Sequence, residues 1–124
     1  MQTGIKKSLR KGFTLVEIMI VVLIIGILLA VAIPNFVKAR NSGRSKACIA
    51  NLRQIDAGKE QYMLDNKTTT APSAMTSIVP TYVKNTPTCP SGGTYSINDA
   101  TTSPSCTVGT NGTSDTNDDH QLAN

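Results

Sequence analysis

From Phe13 to Ile33 the chain is apolar at almost every position, and Glu17 is the only charged side chain in that run of 21 residues. At 1.5 Å per residue a helix of this length reaches about 32 Å, enough to cross a hydrocarbon core of roughly 30 Å. A strand is excluded, because the run is too long and shows no period-two alternation. After Pro34 the pattern changes. Cys48, Leu52, Ile55 and Tyr62 recur at spacings of four, three and seven, with Ile49 and Met63 beside them. That is one stripe of an amphipathic helix, and it predicts continuation to about Asn66. Arg40, Arg44, Lys46, Arg53 and Glu60 fall on the other faces. Gly26 and Pro34 are the breakers of this long helix: proline removes a backbone bond and crowds the carbonyl of Ala30. Gly58 marks a second weak point, or a place of close packing.

Beyond residue 66 helical periodicity stops, and Thr, Ser, Asn, Gly and Pro dominate. A short helix is expected over Thr70–Val79, started by Pro72, and a short strand at Tyr82-Val83. Thr86 to Gly93 reads as a turn-rich connector. Thr94 to Ile97 alternates as a strand should, with Tyr95 and Ile97 on one face, and Ser105 to Val108 is its antiparallel partner. Gly109 to Asp119 is rich in Asn, Thr, Ser and Asp, has no apolar residue and reads as a polar loop. His120-Gln121-Leu122 is expected to return as a last short strand.

Charge changes the picture at the start of the chain. Lys6, Lys7, Arg10 and Lys11 precede the apolar run, so the formal net charge of +4 owes much to these first residues. Positive charge on this side keeps that end in the cytoplasm and places the remainder across the membrane. The alkaline balance is therefore weak support for nucleic-acid binding, and Phe36, Tyr62, Tyr82 and Tyr95 give no stacking surface. A carboxylate at the centre of a bilayer costs about 2.5–3.5 kcal/mol on the lenient insertion scale. Glu17 lies one turn into the run, where it either snorkels to the headgroups or awaits a cation. A cut after Gly12 would supply one. The free amine of Phe13 would stand four residues before Glu17, on the same helix face.

Gly12-Phe13-Thr14-Leu15-Val16-Glu17 behind a short basic leader resembles the prepilin signature of type IV pilins and type II secretion pseudopilins, and the likeness runs on through Pro34, Phe36 and the following helix. The resemblance implies an α+β, pilin-like fold: a long N-terminal helix packed on a small antiparallel sheet. It divides the chain into a leader (1–12), a membrane and assembly helix (13–34), its amphipathic continuation (35–66) and a small head (67–124). It implies that a prepilin peptidase, also an N-methyltransferase, cuts between Gly12 and Phe13 and methylates the Phe13 amine. Glu17 then neutralises that amine on a neighbouring subunit. The implied partners are other copies of the chain in a helical filament, minor pilins, an inner-membrane assembly platform and membrane lipid. Residues 26–34 are implied to stretch in the filament. Asn51-Leu52-Arg53-Gln54-Ile55-Asp56, with Cys89-Pro90-Ser91-Gly92-Gly93-Thr94-Tyr95, also resembles a group of short pilin-like proteins.

Two rivals compete with this reading. Ala30-Val31-Ala32 looks like a secretory cleavage site, which would leave a small secreted binding module; an uncut membrane anchor is the other. Neither gives Glu17 a purpose.

Three cysteines in an oxidising compartment imply one disulfide and one free thiol, or a link between chains. Cys89 and Cys106 flank the expected hairpin, and a bridge between them would close a loop of about 18 residues, worth roughly 3 kcal/mol. Pairing through Cys48 stays open. Asp115, Asp118 and Asp119 are weak calcium candidates that match no loop spacing; a solvated acidic loop is favoured, and no cofactor is expected. His120 reads as a lone exposed histidine in a polar tail. No zinc-type cysteine spacing, phosphate loop or paired carboxylates appear, so the expectation is a structural subunit and not an enzyme.

Overall fold

The computed structural model describes residues 11–109 and 119–122. The chain divides into two compact units near residue 36. Helix α1, Leu15–Asp65, runs through both and is 51 residues long.

In the first unit α1 carries the apolar run. Its large hydrophobic side chains, from Phe13 at 86% exposure to Ile25 at 49%, are exposed. Pro34 lies inside the helix. It has no N–H to offer Ala30, and the Asn35 side-chain amide donates to the adjoining carbonyl of Val31 at 3.2 Å.

The second unit is built on the amphipathic part of α1. Ser45, Cys48, Leu52, Ile55 and Lys59 are buried along one stripe at alternating spacings of three and four. Tyr62 extends it as a half-buried residue in edge-to-face contact with Tyr82, ring centroids 6.1 Å apart. Two apolar clusters lie against this stripe. One joins Cys48 and Leu52 to Cys89 and Cys106, with Tyr95, Val108 and Leu122 around them. The other joins Ile55 to Ile78, Val83 and Ile97. Gly58 is the close-packing point: a Cβ there would stand 2.7 Å from Cγ2 of Val83.

The sheet has two strands, β1 (Tyr95–Ser96) and β2 (Ser105–Cys106), paired antiparallel with Tyr95 opposite Cys106. Thr107 extends the ladder by donating its N–H to the Thr94 carbonyl at 3.0 Å. Ile97 is buried and Tyr95 half-buried on the core side while Ser96 is exposed, as the alternation predicts. Asn98 shapes the hairpin loop, donating from Nδ2 to the Ser103 carbonyl at 2.7 Å and to Ser105 Oγ at 3.1 Å.

Three expected elements differ. Only Met75–Ser77 is helical within 70–79, as a single 3₁₀ turn. Pro72 and Pro80 bracket a stretch too short to repay helix nucleation, and one turn suffices to bury Ile78. Tyr82-Val83 is no strand, because both its N–H groups turn back to the Ile78 carbonyl, at 2.8 and 3.0 Å. Residues 120–122 form no strand either. The His120 N–H donates to the Gly109 carbonyl at 2.8 Å.

Candidate functional site

Two groups of residues hold the polar chemistry: the start of α1 and a cluster in the second unit. Thr14 is the N-cap of α1 and Glu17 its third residue, the spacing of a capping box. The Thr14 N–H donates to Glu17 Oε2 at 2.8 Å, the Thr14 hydroxyl donates to the same oxygen at 3.2 Å, and the Glu17 N–H donates to Thr14 Oγ1 at 3.2 Å. The acid at the head of the apolar run is thus internally hydrogen-bonded. Gly12 and Phe13 precede the cap, exposed and outside regular structure. Among the described residues, nothing approaches the Cβ position of Gly12 or Gly26 within 4 Å.

In the second unit Cys89 and Cys106 face each other as the hairpin reading requires, but as free thiols, and Cys48 and His120 join them. Each comes from a different place: Cys48 from α1, Cys89 from the turn before β1, Cys106 from β2, and His120 from the C-terminal segment. Three sulfurs and one imidazole nitrogen lie within 4.8 Å of one another. His120 is 4% exposed, which corrects its reading as a lone surface histidine. Its segment is held from two sides, by the bond to Gly109 and by the Ser45 hydroxyl donating to the Asp119 carbonyl. Its Nδ1 stands 3.6 Å from Cys89 Sγ and its Nε2 3.5 Å from Ser91 Oγ.

The surroundings treat the thiols unequally. Burial, with added contributions from Cys106 and Cys89, pushes the Cys48 thiol up to about 12 against the lowering effect of the Tyr95 hydroxyl. Burial also acts to raise Cys89, but the backbone N–H groups of Ser91 and Gly93 favour its thiolate and the balance is a lowered value. Tyr95 is raised, by burial first and then by its bond to Cys48. Asn51 sets this arrangement, donating from Nδ2 to the Thr88 carbonyl at 3.0 Å and to the Tyr95 hydroxyl at 3.1 Å. Gly92 adopts φ of +83°, and a Cβ on Gly93 would stand 2.6 Å from Cys106 Sγ. The two glycines therefore make possible both the turn and its contact with sulfur.

Sequence reasoning missed the cluster because its members come from four separated segments with no short C-x-x-C spacing. The signals available were an odd cysteine count and a single histidine. It also missed Lys59, which is 3% exposed. Its ammonium donates to the carbonyls of Asp99 and Thr102, at 3.2 and 2.9 Å, and pairs with Asp56 at 3.1 Å. Asp115 and Asp118 lie outside the described residues.

Residues 7–33 match the prokaryotic N-terminal methylation motif. The chain is 36% identical over 98 residues to a type IV wide pilus major component of Thermus thermophilus, covering 79% of this chain and 71% of that protein. The chain belongs to the type IV pilin and pseudopilin family. This pilin-family chain is also 34% identical over 87 residues to the ComG operon protein 3 homolog of Bacillus licheniformis, covering 70% of this chain and 89% of that one. It is 25% identical over 107 residues to type II secretion system core protein G of Klebsiella michiganensis, with 74% and 75% covered. No solved structure gives a significant match. The α+β architecture, one long apolar N-terminal helix and a small antiparallel sheet, is that of a pilin, and the chain is a structural subunit of a pilus-like, competence or secretion system.

Proposed function

We propose that this pilin is made as a single-pass inner-membrane precursor, cut by prepilin peptidase between Gly12 and Phe13, methylated on the Phe13 amine and polymerised through α1 into a pilus-like fibre or secretion pseudopilus. The observation that carries this reading is the apolar half of α1, exposed along its length and beginning at an acid-containing cap. Such a surface needs lipid before assembly and neighbouring helices after it. In the precursor Thr14 satisfies part of the Glu17 carboxylate, which lessens the cost of holding an acid near the membrane. The cut creates an ammonium one turn from that acid. Methylation leaves the amine basic and positively charged. When a new subunit enters, Glu17 attracts the Phe13 ammonium of a neighbour, so the charge pair sets the axial register while apolar contacts supply most of the association. The remainder of the chain, with its own core, decorates the fibre outside the inner membrane. An assembly platform and minor pilins of the same system are the partners this route requires.

Substitutions separate the charge of Glu17 from its cap. Glu17→Gln keeps a side chain able to close the capping box but removes the charge; Thr14→Ala removes the cap but keeps the charge. Expressed beside wild type, Glu17→Gln is expected to be cut normally, with mass spectrometry giving a methylated Phe13 start, yet to be depleted at least tenfold from sheared filaments. Thr14→Ala is expected to enter filaments nearly as well as wild type. Equal depletion of both would reduce Glu17 to a helix cap, and a mature chain starting at Met1 or Ile33 would overturn the processing route.

A further inference from the structure

The pilin reading leaves the buried cluster of three thiols and one imidazole without a task. We propose that Cys48, Cys89, Cys106 and His120 form a closed, structural zinc(II) site of the Cys₃His type, which ties helix α1, the Cys89 turn, strand β2 and the C-terminal segment into one unit.

The donor set is the first argument. Three sulfurs and a nitrogen are the ligands of structural zinc, and all four residues are buried, leaving no open position for substrate. Geometry is the second. With bonds of about 2.3 Å to sulfur and 2.05 Å to nitrogen, the sulfur–nitrogen edge of a tetrahedron is about 3.6 Å. Cys89 Sγ and His120 Nδ1 stand at 3.6 Å, and every other pair falls within 4.8 Å. A tetrahedral site needs about 3.8 Å between sulfurs, so binding draws the thiols together by about 1 Å at most.

The outer contacts are the third argument, since metal thiolates need donors around them and a ligating imidazole is oriented through its other nitrogen. The Tyr95 hydroxyl accepts a bond from Asn51 at 3.1 Å and keeps its own proton to donate, and its ring packs against the Cys48, Cys89 and Cys106 cluster. Nδ1 of His120 faces the sulfurs while Nε2 faces the Ser91 hydroxyl. A disulfide would use two sulfurs and leave a buried thiol and a buried imidazole side by side. Zinc uses all four. Binding displaces the thiol protons to solvent and transfers no electrons, so the site needs no oxidant or reductant. With a sheet of only two short strands, a cross-link among four segments supplies order that hydrogen bonding alone does not.

The test uses the full chain, purified in detergent without added metal or oxidant. Elemental analysis is expected to give one zinc per chain, and thiol titration of the unfolded protein three free thiols. Replacement by cobalt(II) is expected to produce the intense visible bands of a tetrahedral thiolate site. His120→Cys keeps four ligands and is expected to retain the metal with a shifted cobalt spectrum. His120→Ala and Cys106→Ser are expected to weaken zinc binding by at least tenfold. Tyr95→Phe, a loss from the outer shell, is expected to weaken it by about tenfold while the fold is retained. One free thiol and a Cys–Cys bridge in the isolated protein would overturn the proposal. So would a reduced, folded chain that takes up neither zinc nor cobalt.

Discussion

Lys59 shows how a single residue can be placed by its partners against its preference for water. Its ammonium has three donors, and two carbonyls and a carboxylate receive them. Those carbonyls belong to Asp99 and Thr102, so the lysine ties the loop between β1 and β2 to α1. Lys59→Met keeps most of the stem but no donor, and it is expected to cost about 1–3 kcal/mol in chemical denaturation of the detergent-solubilised chain, because both carbonyls lose a buried partner. Asp56 keeps 33% of its side chain exposed. Asp56→Asn keeps an oxygen within reach of the ammonium but removes the charge, and it is expected to cost about 1–2 kcal/mol because Lys59 stays buried. Tyr82 gives a pH-dependent counterpart. The Asp65 carboxylate, as hydrogen-bond partner, raises its phenol above the ordinary 10.0. The sign follows: this contribution to stability is complete below pH 10 and is lost as pH rises through the raised folded value. Asp65→Asn is expected to move the Tyr82 phenolate step to lower pH, read by ultraviolet absorbance against a Tyr82→Phe control.

At the scale of the element, α1 is two helices in one. Its first half has exposed apolar residues all round; its second half has one buried stripe. Its glycines differ for the same reason. Gly43 lies in open space, whereas a Cβ on Gly58 meets Val83 at 2.7 Å and Tyr82 Cβ at 3.6 Å. Gly43→Ala is expected to stabilise the chain by about 0.5–1 kcal/mol through helix propensity. Gly58→Ala gains the same propensity but forces Val83 aside, a strain of about 1–3 kcal/mol, so a net loss of about 1 kcal/mol is expected. Urea midpoints of the two variants, measured side by side, check the opposite signs. The helix pattern, the alternation in β1 and the packing role of Gly58 were legible in the sequence, because each is a local periodicity or a residue type with one strong constraint. The short helix over 70–79 and the strand at Tyr82-Val83 were misjudged, because apolar residues between prolines carry no periodicity, and tertiary burial of Ile78 and Val83 decided their course.

For the whole molecule, the exposed apolar half of α1 dominates behaviour in solution. The full chain is expected to stay monodisperse in detergent and to self-associate on dilution below the critical micelle concentration, as read by sedimentation velocity. The sequence by itself determined the family, the long helix and the signature from Gly12 to Glu17, since these are contiguous and a short window of residues carries their chemistry. It did not determine that Lys59 is buried, or that Cys48, Cys89, Cys106 and His120 converge. Those facts belong to tertiary structure alone, because residues 14 to 72 positions apart become neighbours only when the chain between them has folded.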